Sequence, residues 1–261
     1  MSEDFLLFSN SFKAITGLDL SHYNRTQIQR RLSVFQQKYQ LETYRDLLAA
    51  IQRDENLLQE CLQRLTINVT EFYRDSQYWD KLREYIIDMA RVRLPLRLWS
   101  AGCATGEEAY SLSAMLSIML PKNCWEVLAS DLDAQALATA KAGLYREKSL
   151  KNLSTRQIAM IFNKVEEDLF SVKERVREKI SFLKHDLLQD DYPRNMDIIL
   201  CRNVLIYFKE STKKAVLSRL SRALNPNGLL FVGSSEQIIN PEDYGLRNEN
   251  IFFYKKLPPP V

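Results

Sequence analysis

The sequence predicts an α/β protein, with an all-helical N-terminal domain followed by a doubly wound, mostly parallel sheet. The 261 residues are 46% hydrophobic and 26% charged, which is the composition of a globular chain. The first 90 residues contain one glycine and no proline, and their apolar residues recur every three or four positions, as in helices. From residue 96 onward, short apolar runs alternate with helical patterns, and this alternation indicates a parallel sheet covered by helices.

Helical periodicity in the N-terminal third marks three helices and a connecting helix. The apolar positions that mark the three helices are Ile28, Leu32 and Phe35, then Leu47, Leu48 and Ile51, then Leu57, Leu58, Leu62 and Leu65. Ser21 and Thr43 are of the residue types that cap helix N-termini. A connecting helix near 76–91 ends before Pro95, because the residue preceding a proline disfavours helical geometry. We therefore assign 1–75 to the helical domain and 76–94 to a linker helix.

The remaining residues, 95–261, are assigned to the sheet domain. Its predicted strands are 96–100, 125–130, 180–183, 196–201, 229–233 and 252–255, and its predicted helices are 106–119, 134–143 and 210–224. The segment 225–228, with the sequence Asn-Pro-Asn-Gly, predicts a turn between the last of these helices and the strand that follows it.

Composition and charge exclude several classes of protein. The 36 basic and 33 acidic residues leave a net charge of +3, which is too small to indicate nucleic-acid binding. The four cysteines form no Cys-x-x-Cys pair and there are two histidines, so neither a metal site nor a disulfide framework is expected. The longest apolar stretch is too short for membrane insertion, and the acidic Glu3 and Asp4 do not fit a signal peptide. We therefore expect a cytoplasmic protein. Its expected oligomeric state is a monomer.

A glycine-containing loop connects the first predicted strand with a helix. Gly102 and Gly106 flank this loop, and glycines let backbone amides approach a ligand closely at a helix N-terminus. Asp131 follows the second strand, at the edge where open sheets bind ligands, and an acid there commonly accepts hydrogen bonds from ribose hydroxyls. For Asp133 we favour a helix N-cap. A tight strand-to-helix turn without a ligand remains the alternative for the loop.

Two cofactors fit a glycine loop and a ribose-binding acid, namely a dinucleotide and S-adenosylmethionine. The dinucleotide pattern requires glycine at 104 and 107, where this chain has Ala104 and Glu107. Glu107 and Glu108 would repel a pyrophosphate, whereas carboxylates suit the ammonium and sulfonium cations of S-adenosylmethionine. A role in complementing the helix dipole remains open for both acids. The residues favour S-adenosylmethionine, with S-adenosylhomocysteine as the product and no metal.

Four short motifs occur in order along the chain: NVTEFYR at 68–74, WSAGCATGEE at 99–108, ASDLD at 129–133 and CRNVLIYF at 201–208. They resemble the motifs of the CheR family, the chemotaxis receptor glutamate methyltransferases. The resemblance covers nearly the whole chain, and it implies a helical domain packed on a methyltransferase domain with a small β-subdomain at about 162–184. It also implies methyl transfer from S-adenosylmethionine to glutamate side-chain carboxylates of chemotaxis receptors, which forms methyl esters for sensory adaptation.

The resemblance further implies which residues contact the cofactor and the methyl acceptor. The implied cofactor contacts are Asn68, Thr70, Arg74, Gly102, Glu108, Asp131, Asp186, Leu187, Arg202 and Asn203. Arg74 and Tyr207 are the candidate catalytic residues, and Tyr207 stands where the family has a tyrosine near the transferred methyl. A surface role for Arg74, a core role for Tyr207 and a loop-capping role for Asp186 remain open alternatives.

Chemotaxis receptors offer long helical coiled coils with acidic methylation sites. Arg25, Arg30, Arg31 and Lys38 lie on one predicted helix and are expected to dock on such a coiled coil, with a solvated charged face as the alternative. Members of the family that bind a receptor pentapeptide tether usually have glycines in the β-subdomain, and this chain has none between 144 and 227. We therefore expect an enzyme that is independent of the tether. Methylation of another protein or small molecule, and a non-catalytic S-adenosylmethionine-binding signalling module, remain alternative functions.

Overall fold

The computed structural model describes residues 3–66 and 70–258. Their contacts divide them into two units. The helical unit contains the described residues before 67 together with Leu205–Ala215, and the sheet unit contains the other described residues. The N-terminal helices and the mostly parallel sheet that follows them confirm the predicted fold class.

The helical unit contains four helices at its N-terminal end. They are α1 (Glu3–Thr16), α2 (Arg25–Lys38), α3 (Tyr44–Arg53) and α4 (Glu55–Thr66). Their buried side chains include Leu32 and Leu47, which the periodicity predicts, together with Phe8 and Phe12 of α1. The periodicity does not mark α1, because its apolar residues also occupy exposed positions such as Leu7.

Two of these helices begin at side-chain caps. The Thr43 hydroxyl accepts a hydrogen bond from Asp46 N (3.1 Å), and the Asp46 carboxylate accepts one from Thr43 N (2.9 Å). This capping box confirms the predicted cap at Thr43. The predicted cap at Ser21 is wrong, because Ser21 lies inside a short 3₁₀ turn. Asn24 caps α2 instead, since its side chain accepts from Gln27 N.

The segment Leu205–Ala215 makes its contacts with the helical unit, although it belongs to the sequence range 95–261. The backbone N–H of Asn24 donates to the carbonyl of Tyr207 (2.8 Å). The ring centroids of Tyr23 and Phe208 are 5.3 Å apart. Tyr207 therefore belongs to the helical unit.

The strands of the sheet unit form two sheets. In chain order they are β1 (Leu96–Ala101), β2 (Trp125–Asp131), β3 (Leu144–Arg146), β4 (Phe162–Glu166), β5 (Leu169–Val172), β6 (Ile180–Lys184), β7 (Met196–Cys201), β8 (Leu224–Val232), β9 (Leu246–Asn250) and β10 (Phe253–Lys256). The main sheet has the order β6-β2-β1-β7-β8-β10-β9. Strands β6, β2, β1, β7 and β8 are parallel, and β10 is antiparallel to both of its neighbours.

The small sheet has the antiparallel order β3-β5-β4. It differs from the expected subdomain at 162–184, because it begins with Leu144 and ends with Val172. Strand β6 pairs with the edge of β2 in the main sheet, from Ile180 opposite Val127 to Lys184 opposite Asp131. This pairing satisfies the backbone groups that would otherwise be free along the β2 edge.

The remaining described helices follow residue 76. They are α5 (Gln77–Val92), α6 (Glu107–Met119), α7 (Ala134–Ala142), α8 (Thr155–Ile161), α9 (Glu174–Arg177) and α10 (Glu210–Ala223). Trp79 and Ile86 of α5 share one buried cluster with Leu112 and Leu116 of α6 and with strand residues of β1, β2, β7 and β8. Among the described helices, none has the length and apolar character needed to span a membrane.

The predicted turn at 225–228 lies inside β8, which begins at Leu224. Asn227 has a φ of +64°, and the pairing of β8 with β7 shifts register between Met196 and Ile198. Asparagine tolerates this left-handed conformation. The turn residues therefore form an irregularity in the strand rather than ending it.

Candidate active site

Four of the parallel strands carry the predicted site residues at their carboxyl ends. Gly102 follows β1, Asp131 ends β2, Asp186 follows β6 and Arg202 follows β7. These strands are neighbours in the order β6-β2-β1-β7, so their ends meet at one edge of the sheet. Open parallel sheets bind their ligands at this edge.

The loop after β1 requires glycine at both flanking positions. Gly102 has a φ of +81°, and a Cβ there would lie 2.4 Å from Cγ2 of Val204. Gly106 has a φ of +97°, and a Cβ there would lie 2.9 Å from Cβ of Ala140. The loop backbone is therefore held against its neighbours more closely than any side chain would allow, and its shape is that of a cradle at the N-terminus of α6.

Asp131 ties this loop to the end of β2. Its Oδ2 accepts from Ala104 N (2.8 Å) and its Oδ1 accepts from Asp133 N (2.9 Å). Burial raises the pKa of Asp131, and the two backbone N–H groups oppose that shift. Each carboxylate oxygen has a second acceptor position, which suits a ribose hydroxyl. Asp133 caps α7, as expected, by accepting from Gln135 N and Ala136 N.

Arg202 is the most buried cation of the site, with 2% of its side chain exposed. Its Nη2 donates to Asp75 Oδ2 (2.8 Å) and to the Arg74 carbonyl (2.9 Å), and its Nη1 donates to Glu108 Oε2 (3.3 Å). The guanidinium lies 4.6 Å from the ring centroid of Phe231. Its Nε is buried without a hydrogen-bond partner among the residues that the structure describes. An unpaired buried donor beside two carboxylates fits a polar ligand at this position.

Glu108 lies between Arg202 and β1. The hydroxyl of Ser100 donates to Glu108 Oε1 (2.7 Å). Burial raises the pKa of Glu108, while Arg202 and the Ser100 hydroxyl lower it. The neighbouring Glu107 accepts from the Thr105 hydroxyl (2.7 Å), and burial raises the pKa of Glu107 to about 7. The first turn of α6 therefore holds two buried acids that water does not solvate well.

The loop after β7 is organised by a carboxylate that the motifs alone did not assign. Glu236 Oε2 accepts from Asn203 N (2.6 Å) and from Gly233 N (2.8 Å). Asn203 has a φ of +60°, and it follows Arg202 directly. A Cβ on Gly233 would lie 2.6 Å from Glu236 Oε2. The sequence Gly-Ser-Ser-Glu at 233–236 is the signal from which Glu236 and its glycine can be found.

The loop after β6 is bonded mainly to itself. Asp186 Oδ1 accepts from Leu188 N (2.7 Å), and its Oδ2 accepts from Gln189 Nε2 (2.9 Å). The backbone N–H of Asp186 donates to Asp190 Oδ2 (2.8 Å). Leu187 is buried. Asp186 thus caps its own loop, as the alternative interpretation of this residue expects, and Leu187 offers an apolar contact.

The motif at 68–74 contributes backbone geometry as well as side chains. Asn68 lies outside the described residues, and Thr70 is half-buried. Arg74 is half-buried, and its carbonyl accepts from Trp79 Nε1 (3.0 Å). Its neighbours Tyr73 and Asp75 have φ values of +49° and +55°. These left-handed residues turn the chain so that Asp75 reaches the guanidinium after β7.

Tyr207 contacts a cation of α2 within the helical unit. The guanidinium of Arg31 lies 4.6 Å from the ring centroid of Tyr207, and its Nη1 donates to the Leu65 carbonyl (2.6 Å). Burial lowers the pKa of Arg31, and Tyr207 opposes that shift. Arg31 is therefore half-buried and packed on Tyr207, which distinguishes it from a fully solvated cation of a basic face.

The other cations expected on that face are in different environments. The guanidinium of Arg25 lies 5.1 Å from the ring centroid of Phe5. Lys38 forms an ion pair with Glu60 (2.7 Å). Arg30 is exposed. In the described part of the chain, no group of three or more histidine, cysteine, aspartate or glutamate side chains is placed to hold a metal ion.

A parallel sheet with a glycine cradle after β1, an enclosed carboxylate after β2 and buried acids at the start of α6 defines the class of S-adenosylmethionine-dependent methyltransferases. Comparison with known families gives the particular one. The model of the CheR methyltransferase SAM-binding domain matches residues 68–252, and that of the CheR methyltransferase all-alpha domain matches residues 3–66. The chain belongs to the CheR methyltransferase family, as its motifs indicate.

Curated relatives match almost end to end. The chemotaxis protein methyltransferase of Listeria monocytogenes is 38% identical over 259 residues, which cover 98% of each chain. That of Salmonella typhimurium is 32% identical and covers 92% of this chain and 86% of its own. That of Escherichia coli is 31% identical and covers 98% of this chain and 94% of its own.

Proposed function

We propose that this protein transfers the methyl group of S-adenosylmethionine to glutamate side-chain carboxylates of chemotaxis receptors, forming methyl esters. The observation that carries the proposal is the end-to-end similarity to chemotaxis protein methyltransferases, combined with a cradle of acids and glycines at the carboxyl edge of the sheet. Receptors of this kind place their methylation sites in the cytoplasm, so we assign the protein to that compartment.

The cofactor assignments follow the arrangement of the loops. Asp131 accepts hydrogen bonds from the ribose, and Leu187 lies against the adenine with Asp186 shaping its loop. Glu108 and Arg202 attract the cationic and carboxylate parts of the amino-acid portion respectively. At Gly102 and Asn203 the cofactor can approach the loop backbone closely. The remaining proposed cofactor contacts are Asn68, Thr70 and Arg74.

The reaction needs positioning more than proton transfer. The bound cofactor supplies a methyl group activated by the sulfonium. Glutamate has an ordinary pKa of about 4.3, so the acceptor carboxylate is ionised at neutral pH and needs no general base. The enzyme has to align the carboxylate oxygen with the methyl carbon and to remove water from it. Tyr207 and Arg74 are our candidate catalytic residues for holding the acceptor carboxylate, as the family resemblance implies. Within the helical unit, the guanidinium of Arg31 packs on the ring of Tyr207.

Docking of the receptor is assigned to the basic residues of α2 that face solvent. Arg30 and Lys38 are exposed, and they suit an acidic coiled coil electrostatically. Arg31 acts through Tyr207 instead, because it packs on that ring. Arg25 contributes less than expected, because its guanidinium lies over Phe5 with a buried Nε.

We further propose that docking does not depend on a receptor pentapeptide tether. Strands β4 and β5 are five and four residues long, and the two residues that join them are Glu167 and Asp168. This hairpin therefore lacks the glycines that tether-binding members usually have in the β-subdomain. Calorimetric titration with a peptide of the receptor C-terminus is expected to give no binding heat at millimolar peptide. Tight binding of that peptide would overturn tether independence and leave the proposed reaction intact.

The proposed reaction is tested with radiolabelled S-adenosylmethionine and receptor-containing membranes. We expect label that is released by mild base, since methyl esters hydrolyse there. Tyr207→Phe serves as the control variant, and we expect it to lose most turnover while it retains S-adenosylhomocysteine binding. Label that resists base would indicate another acceptor group, and cofactor binding without any transfer would indicate a signalling module. Either outcome contradicts the proposed function.

A further inference from the structure

Arg219 of α10 donates hydrogen bonds to several backbone carbonyls of the loop after β6. Its Nη1 donates to the carbonyls of Leu187 (2.9 Å) and Leu188 (3.0 Å). Its Nη2 donates to the carbonyl of Asp190. The Tyr192 hydroxyl donates to the same Leu187 carbonyl (2.8 Å). One guanidinium and one hydroxyl thus bind the loop through its backbone.

The guanidinium itself is held by an aromatic cluster. It lies 4.2 Å from the ring centroid of Tyr192. The Tyr192 ring makes edge-to-face contacts with Trp99 of β1 (5.3 Å between centroids) and with His185 (5.4 Å). Trp99 is fully buried. Arg219 therefore connects the loop to a rigid part of the core, and its planar fork matches several carbonyls at once.

The same loop is joined to the proposed ribose carboxylate. The backbone N–H of His185 donates to the carbonyl of Asp131 (2.9 Å). The bonds of Asp186 to Leu188 and Gln189 make the loop a single closed turn. Because Arg219 is bonded to the carbonyls of this turn, it helps to fix where Leu187 lies.

We propose that Arg219 is a positioning residue for the adenine-binding loop. It acts through the backbone of Leu187 and Leu188, and it determines how tightly the adenosine portion of the cofactor is bound. This inference rests on the proposed function, because it takes Leu187 as the adenine contact. Since Arg219 is anchored to this loop, its loss is expected to raise KM for S-adenosylmethionine and to leave kcat nearly unchanged.

The test is calorimetric binding of S-adenosylhomocysteine and of S-ribosylhomocysteine, which lacks the adenine. Arg219→Ala is expected to weaken S-adenosylhomocysteine by about tenfold, the scale of losing charge-assisted hydrogen bonds. S-ribosylhomocysteine should be weakened by less, because it has no base for Leu187 to contact. Arg219→Lys keeps the charge but not the fork, and we expect an intermediate loss. The matched control is Arg222→Ala, on the same helix, because Arg222 is exposed and its Nε donates only within α10, to the Ser218 carbonyl (3.2 Å).

Hydrogen exchange of the ligand-free protein gives a second readout. The amides of 187–190 are expected to exchange faster in Arg219→Ala than in the wild type, with the strands of the main sheet unchanged. Unaltered affinity in both Arg219 variants would overturn the proposal. Equal weakening of both ligands would also overturn it, because it would indicate general destabilisation. Absence of S-adenosylhomocysteine binding in the wild type would instead contradict the proposed function.

Discussion

Replacing Arg202 with methionine removes the cation that pairs with Glu108 and Asp75. Methionine has a similar length and preserves apolar contact with the Phe231 ring, so the change removes charge more than volume. The Glu108 side chain is 11% exposed and that of Asp75 is 27% exposed. Asp75 can regain water, whereas Glu108 keeps its hydrogen bond from the Ser100 hydroxyl and the charge of Arg74.

The expected loss of unfolding free energy is about 3–5 kcal/mol at pH 8.5, the range for removing one partner of a buried ion pair. Burial raises the pKa of Glu108 already, and loss of Arg202 raises it further. A group with a raised pKa in the folded state stabilises that state most when it is protonated. Its contribution declines by about 1.4 kcal/mol per pH unit between the unfolded and folded pKa values. The penalty of Arg202→Met should therefore be smaller at pH 5.5 than at pH 8.5.

Urea unfolding at pH 5.5, 7 and 8.5 measures this penalty. Arg91→Met is the matched control, since it removes a guanidinium that is 74% exposed and paired with Asp88 at the surface. The double variant Arg202→Met with Glu108→Gln removes both the Arg202 cation and the Glu108 carboxylate left unpaired by its loss, and we expect it to recover at least half of the loss. A penalty below about 1 kcal/mol, a penalty independent of pH, or no recovery in the double variant would refute the reasoning.

Three further predictions concern single contacts. Gly102→Ala should destabilise the protein by about 1–3 kcal/mol more than Gly17→Ala in thermal or urea unfolding, because both have positive φ but the new Cβ meets Val204 only at 102; equal losses would contradict the close approach. Arg31→Gln should lower kcat while calorimetry shows S-adenosylhomocysteine affinity within about twofold of the wild type, because this cation packs on the ring of the candidate catalytic tyrosine; unchanged turnover would exclude that role. Burial raises the pKa of Glu107 to about 7 from an unfolded value near 4.5, so protonation of Glu107 stabilises the folded state at low pH. Between pH 5.5 and 8.5, the free energy of unfolding of the wild type should therefore fall by about 2 kcal/mol more than that of Glu107→Gln, as measured by urea unfolding. Parallel pH profiles of the two proteins would contradict this prediction.

The fold was predictable where apolar residues follow a clear period. The central strands of the main sheet are mostly buried and consist largely of apolar residues. The predicted bounds of β1, β2 and β7 therefore agree with the observed bounds to within one residue. Strands β4 and β9 were not predicted from the pattern, because each has a single buried residue and four exposed ones. A strand with one buried residue carries no alternation for a sequence pattern to reveal.

The site was predictable in its motif residues but not in their supports. Asp75 and Arg219 each bind backbone or charged groups that lie far away along the chain. Asp75, for example, is 127 positions from the arginine it pairs with. No short-range spacing encodes such a contact, so sequence reasoning had no signal for these pairings.

By itself, the sequence determined the family, the fold class with its central strands, and a glycine cradle that excludes the dinucleotide pattern, because these depend on local residue types and spacing. Only the tertiary structure decided which charged side chains pack or pair within the protein and which face solvent. In the sequence, Arg31 is one of several cations of a basic helix. In the structure its guanidinium packs on the ring of Tyr207, because Leu205–Ala215 folds with the helical unit and not with the sheet unit. Such contacts arise from how distant segments pack, and helical periodicity records only that a face is polar.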